Sequence, residues 1–348
     1  MRSRDTLRRL LVLSILACCP AALAGDAVTL DNVVDPGPNQ KDEPIAEFSI
    51  ARAADFLDSA ALQWQKQRKC VTCHTNMAYM VARPGISSAA PAHDQVRAFV
   101  EDLVRTRWEE HGPRWDAEVV VAAMALASND AATTGRLHPL ARTALDRMWT
   151  VQREDGGFDW LKCDWPPMES DDHFGATLAA IATGVAPDDY AQTEAARQGL
   201  DGIRRYLENN PPPTLHHQAM ILWASSYVDG LADDAANQDT VDKLLALQKE
   251  DGGWAVATLG DWERMDDQPQ DTDSSDGYGT GFVLYVLRTA GVPAESEAIQ
   301  RGVAWLKSHQ RASGRWYTRS LAKDNKHFLS HAGTAMAVMA LAACGETE

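Results

Sequence analysis

The stretch Gln310-Arg311-Ala312-Ser313-Gly314-Arg315-Trp316 sets a glutamine six residues ahead of an aromatic, with a glycine-bearing turn between them. The frame recurs at Gln248–Trp254 and, with phenylalanine closing it, at Gln152–Phe158. Each copy follows an amphipathic stretch and precedes a strongly apolar one. Before the last copy, Ile299, Val303 and Leu306 fall on one face at helical spacing. After it, the chain from His331 to Cys344 is apolar nearly all round. A helix with no polar face must be buried on every side. Repeats at a period of roughly 45–60 residues mean that one supersecondary unit is copied, here a helix, a turn and a second helix.

The same contrast appears at 138–152 then 172–184, at 238–249 then 276–290, and at 92–111 then 116–128. It persists at 194–208 then 215–228, where the turn motif has decayed. With Ile50–Lys69 and Asn76–Arg83 as the first hairpin, the chain holds six units. Six polar-faced outer helices around six apolar inner ones predict an all-α fold, a closed (α/α)6 toroid over residues 48–348. An open solenoid is the other arrangement of such hairpins, but inner helices without a solvent face do not suit it. Closure has a consequence for chemistry: every outer-to-inner turn opens at one end, so the inner-helix N-termini ring a single mouth.

The Gln…Gly-x-Trp repeats resemble those of the squalene and oxidosqualene cyclases and of the related protein prenyltransferase β subunits, across residues 50–344. The resemblance implies a structural role for the motif, tying an outer-helix end to the next turn. Glu169-Ser170-Asp171-Asp172 also resembles the acidic D-x-D-D motif of class II terpene cyclases, whose middle Asp protonates an alkene or epoxide. The resemblance places that role at Asp171, with Asp172 and His173 beside it; such an acid needs a raised pKa. Two departures stand: the first position is Glu, and those cyclases work between two barrels where this chain has one. The prenyltransferase likeness implies zinc held by Asp, a Cys two residues on, and a distant His. Asp276-Gly277-Tyr278 lacks that Cys, although His331 is suitably placed. Zinc drawn from Asp172, His173, His217, Asp276 or His331 is the metal alternative.

Read in order, the turns at the mouth carry Cys70, Cys73 and His74, then Arg114, Trp115 and Asp116. Cys163, Glu169, Asp171, Asp172 and His173 follow, then His216, His217, Asp276, His327 and His331. The opposite turns hold small and acidic residues. Helix capping explains Asp116 or Asp276 as well as a functional role does. It does not explain two adjacent His, or a His at several helix starts. Cys70-Val71-Thr72-Cys73-His74 has the C-x-x-C-H spacing of covalent haem attachment, with His74 placed to bind the iron. A redox dithiol, a plain disulfide or a metal site are the competing readings. Met168, His173, His217 or His331 is then a candidate sixth ligand, unless that side stays open for substrate.

Arg2, Arg4, Arg8 and Arg9 precede an apolar run from Leu10 to Ala17, and Ala22-Leu23-Ala24 offers a cleavage site. Residues 1–24 therefore read as a secretory signal peptide, and the mature chain as exported, periplasmic in a bacterium. Ile15-Leu16-Ala17-Cys18 resembles a lipobox, making a lipid on Cys18 the one expected membrane link. Residues 25–47, with Pro36, Pro38 and Pro44, read as an irregular arm. The formal charge of −16 becomes −19 once residues 1–24, with four Arg and one Asp, are gone. Such a surface argues against nucleic acid as a partner. Four cysteines then remain, too few for a disulfide scaffold. The expected partners are a small apolar molecule in the barrel or a redox protein. The expected function is a redox role for a haem-bearing toroid; an isomerase or lyase using Asp171, and a non-catalytic binding toroid, are the alternatives.

Overall fold

The computed structural model describes residues 27–38, 40–87, 89–107, 113–324 and 328–347. The expected signal peptide, the Cys18 anchor and His327 lie outside the described residues. Helices alternate between an outer and an inner layer. The outer ones are α1 (Ile50–Arg68), α3 (Pro91–Thr106), α5 (Pro139–Thr150), α7 (Glu194–Asn209), α9 (Asp234–Ala246) and α11 (Glu297–His309). The inner ones are α2 (Ala78–Ala82), α4 (Pro113–Thr133), α6 (Asp172–Val185), α8 (Leu215–Ser225), α10 (Gly277–Thr289) and α12 (Phe328–Ala343). A π-helical turn at Cys73–Met77 leads into α2. Among the described residues there are isolated bridges but no strand.

Each inner helix packs on the next, α2 to α4 and onward to α12, and α12 returns to α2. The expected (α/α)6 toroid is therefore closed. Inner helix α12 is buried continuously from Leu329 to Leu341, as its all-round apolar sequence requires. Outer helix α7 buries one stripe, including Leu200, Ile203 and Leu207. Close approach inside the ring depends on glycine: a Cβ at Gly281 would lie 2.5 Å from the Ala337 backbone nitrogen.

The repeated glutamine works as a staple. Gln152 Nε2 donates to the Gly156 carbonyl in its own turn and to the Gly199 carbonyl in the next outer helix, both at 2.9 Å. Gln248 repeats this toward Gly252 and Ala298, each at 2.8 Å. Gln310 reaches Gly314 at 3.0 Å and Ser49 at 2.9 Å, and thereby joins the last unit to the first. The closing aromatics drop back onto their own outer helix, Trp254 Nε1 to Leu244 O at 2.7 Å and Trp316 Nε1 to Leu306 O at 2.8 Å. The arm ahead of α1 seals the same seam: Ile45 N–H donates to Gln310 O, and Arg315 reaches the carbonyls of Pro36 and Pro38.

Boundaries differ from expectation where turns were hard to place. Helix α4 starts at Pro113, so Asp116 lies in its first turn and does not cap it. The inner element after Cys70 begins at Cys73, as a π turn. Among the described residues no helix is long and apolar enough to cross a membrane.

Candidate functional site at the inner-helix N-termini

Helix α1 is capped by Lys69, whose φ of 54° turns the chain inward. Two bonds then fix the cysteine segment: Trp64 Nε1 donates to Cys70 O at 3.0 Å, and Val71 N–H donates to the buried Glu118 carboxylate at 3.0 Å. Cys70 and Cys73 line one cavity of about 70 Å³ with Val121, Trp160 and Glu169. His74 lines a neighbouring one of about 30 Å³ with Trp165, Met168, Phe328 and again Glu169. Glu169 is the partition, its carboxylate 3.6 Å from His74 Nε2 and 3.9 Å from Cys73 Sγ.

Met168 and Glu169 are held by a tight loop. Trp160 Nε1 donates to Met168 O at 2.7 Å, and Cys163 N–H to Glu169 O at 3.0 Å. Behind the imidazole, the Thr75 hydroxyl lies 2.8 Å from His74 Nδ1 and 3.0 Å from His331 Nδ1. That hydroxyl can donate to only one of the two rings, so at least one Nδ1 must donate to it. The His74 ring stacks on Phe328 at 4.7 Å and meets Trp64 edge-on at 4.8 Å. Burial, then the nearby Glu169 charge, pushes the Cys73 thiol well above its ordinary value. Burial and Glu118 raise Cys70. Thiols kept protonated are poor partners for disulfide exchange, and all four described cysteines are unpaired.

The second cluster continues along the rim from Glu169. Asp171 caps α6, accepting from His173 N at 3.0 Å and Phe174 N at 3.3 Å. Its other carboxylate oxygen lies 3.0 Å from His217 Nε2, and His217 Nδ1 faces the Thr214 hydroxyl at 2.7 Å. Burial pushes the Asp171 carboxyl up, but the hydrogen bond and charge of His217 outweigh it and leave the carboxyl below its ordinary value. That corrects the expectation of a raised-pKa acid at Asp171. Asp172 is tied to Arg153 Nη1 at 2.7 Å, Lys162 at 3.2 Å and Trp160 N at 3.2 Å. His173 is buried 5.1 Å from the His217 ring, and neither of its nitrogens finds a well-aligned partner. Burial, then the His217 charge, depresses it to about 4.

Asp276, the cap of α10, is a carboxyl with a raised value. It accepts from Gly279 N at 2.8 Å, Val256 N at 2.6 Å and the Thr318 hydroxyl at 3.2 Å, yet burial pushes it up to about 6. Among the described residues no group of three or more His, Cys, Asp and Glu is placed to hold a metal ion. The zinc set is thus not assembled: His217 pairs with Asp171, His331 with Thr75, and Asp276 with backbone. The structure does bring Cys73, His74, Glu169 and His331 together, with Asp171, two residues beyond Glu169, and its partner His217 on the same rim. Glu118 and Thr75 escaped the sequence reading. Glu118 left one signal, a carboxylate within an apolar inner stretch; Thr75 left none.

Comparison with known proteins agrees with this architecture. Residues 273–348 match the family described as squalene-hopene cyclase C-terminal domain. The squalene–hopene cyclase of Zymomonas mobilis is 27% identical over 278 residues, which cover 67% of this chain and 40% of that protein. The chain thus spans two fifths of that relative's length. Among solved structures, the ent-copalyl diphosphate synthase from Streptomyces platensis superposes with a TM-score of 0.51 at 17% identity, over 78% of this chain and 50% of that one. The type II terpene cyclase MstE from Scytonema gives 0.51 at 13% identity, over 86% of this chain and 99% of that one. By fold, the chain is a terpenoid-cyclase-like α/α toroid.

Proposed function

We propose that this chain is an exported, squalene-cyclase-like toroid carrying a covalently attached c-type haem at the mouth where its inner helices begin, in a redox or electron-transfer role. One observation carries the reading. Both thiols of the C-x-x-C-H segment face one cavity, while His74, its Nδ1 engaged by Thr75, turns Nε2 toward the adjoining cavity that Met168 lines. A π-helical turn at this point is in keeping with a functional site. The donor set fits the group: two thiols for thioether links, an imidazole held in place at Nδ1, and a thioether on the facing loop. Both cavities are far smaller than the roughly 300–1,000 Å³ of ordinary ligand sites. A macrocycle would therefore need the side chains lining them, Glu169 and Trp160 among these, to move apart. Haem would supply reversible one-electron chemistry. The chain's own residues hold and orient: Thr75 fixes His74, and Trp160, Trp165 and Phe328 exclude water. Mature protein made alongside a c-type maturation system is expected to show a Soret band that Cys70→Ala with Cys73→Ala abolishes. A colourless, iron-free product under those conditions refutes the reading.

Acid chemistry of the cyclase kind is the second reading, and the Asp276 carboxyl favours it. A carboxyl held at about 6 keeps its proton into mildly acidic solution, where an ordinary carboxyl has lost it. Incubation with squalene is expected to give product that Asp276→Asn abolishes and Asp171→Asn spares. Squalene recovered unchanged counts against it.

A further inference from the structure

The opposite end of the ring is not featureless. A cavity of about 390 Å³ opens there, and every side chain lining it is uncharged. Its walls come from the C-terminal halves of five inner helices: Val81 of α2, Ser128 of α4, Gly184 of α6, Trp223 of α8 and Tyr285 of α10. Tyr227, just past α8, completes the wall and is 41% exposed, one of few large apolar side chains left so open. The Trp223 and Tyr285 rings meet at 5.1 Å and 85°. The Tyr285 hydroxyl neighbours that of Tyr227. Gly184 makes room for this group, since a Cβ there would lie 2.5 Å from Tyr227 Cβ.

We propose that this aromatic cup binds the head group of an organic cation, a quaternary ammonium or an alkylated amine of similar bulk. Three features select that class. Aromatic faces attract cations most strongly when these are large and weakly hydrated. Helix C-termini carry partial negative charge, and the inner helices direct theirs to this end. The net charge of −16 adds a long-range attraction for cations. An anion would meet the helix dipoles at their unfavourable end. A metal ion would find no carboxylate, imidazole or thiol among the lining residues. Arg288, in the last turn of α10, is occupied by the carbonyls of Val292 and Ala343. The volume suits a small organic molecule. Nothing in this site depends on haem or on an acid at the other mouth.

Calorimetric titration of the mature chain with choline and with 3,3-dimethylbutan-1-ol, its uncharged isostere, tests the proposal. Choline is expected to bind about tenfold more tightly than the alcohol, the cation–π increment for a partly open cage. Tyr227→Leu is expected to weaken choline binding several-fold. Tyr227 is exposed, so that variant should keep the thermal midpoint of the parent. Gly184→Ala, which displaces Tyr227 without altering a ring, should act the same way. Absence of choline binding, equal binding of cation and alcohol, or a Tyr227→Leu variant with unchanged affinity would each overturn the proposal.

Discussion

At the residue scale, two titratable groups at the N-terminal mouth, His173 and Asp171, both lose stability as pH falls, in different windows. His173 sits at about 4 in the fold, against an ordinary 6.5. Between those values the unfolded chain binds a proton that the native chain refuses, so this residue lowers stability as pH falls from 6.5 to 4. His173→Phe should therefore gain on the parent across that window in urea unfolding; a constant gap would contradict the assignment. Asp171 runs the same way in a lower window. Its folded carboxyl lies below the ordinary 3.8, so its contribution is complete above that value and lost as pH falls through the folded one. Asp171→Asn keeps a capping side chain but loses the charged partner of His217. A cost of about 1 kcal/mol is expected at pH 7, shrinking below pH 4. The sequence placed Asp171, His173 and His217 on one rim because a helical hairpin repeat fixes where turns emerge. It did not reveal that His217 would depress Asp171, since that depends on two side chains 46 positions apart meeting at 3.0 Å.

Among the elements, the glutamine–glycine turn is where local sequence and tertiary packing are the same fact. Gly156, Gly252 and Gly314 have φ of 90°, 92° and 91°, a region that penalises any Cβ. At Gly314 a Cβ would also lie 2.0 Å from the Arg52 carbonyl oxygen. Gly314→Ala is expected to cost about 3 kcal/mol in chemical denaturation, from backbone strain and collision together. A cost under about 1 kcal/mol would mean that the turn tolerates repacking. These turns were readable because each keeps a glutamine, a glycine and an aromatic at fixed spacing. The first hairpin was not, because Cys70 to His74 replace that turn and the chain adopts a π turn there. Its inner helix is accordingly short, and the expected start at Asn76 falls inside the π turn, two residues before α2.

Taken whole, the molecule is a ring whose ends are joined by side chains from opposite ends of the sequence. Gln310 donates to Ser49 O and accepts from Ser49 N, and the arm from 40 to 48 lies across the same seam. Gln310→Ala would leave several buried backbone groups unpaired at the one place the chain does not close covalently. It should cost about 2–3 kcal/mol and raise hydrogen exchange in α1 and α11 before α6. Uniform exchange across the ring would mean that the seam is no weaker than the rest. Closure was legible in the sequence because six apolar inner helices leave no face for water. The partnership of Cys73, His74 and Glu169 was legible only in part, since Glu169 reaches them through an irregular loop.

The most direct test is the intact mass of the mature chain isolated from a host that performs c-type maturation. One covalent haem per chain, on the peptide bearing Cys70 and Cys73 and absent from the double alanine variant, is the predicted result. A chain of apoprotein mass with both thiols open to alkylation after unfolding would contradict it.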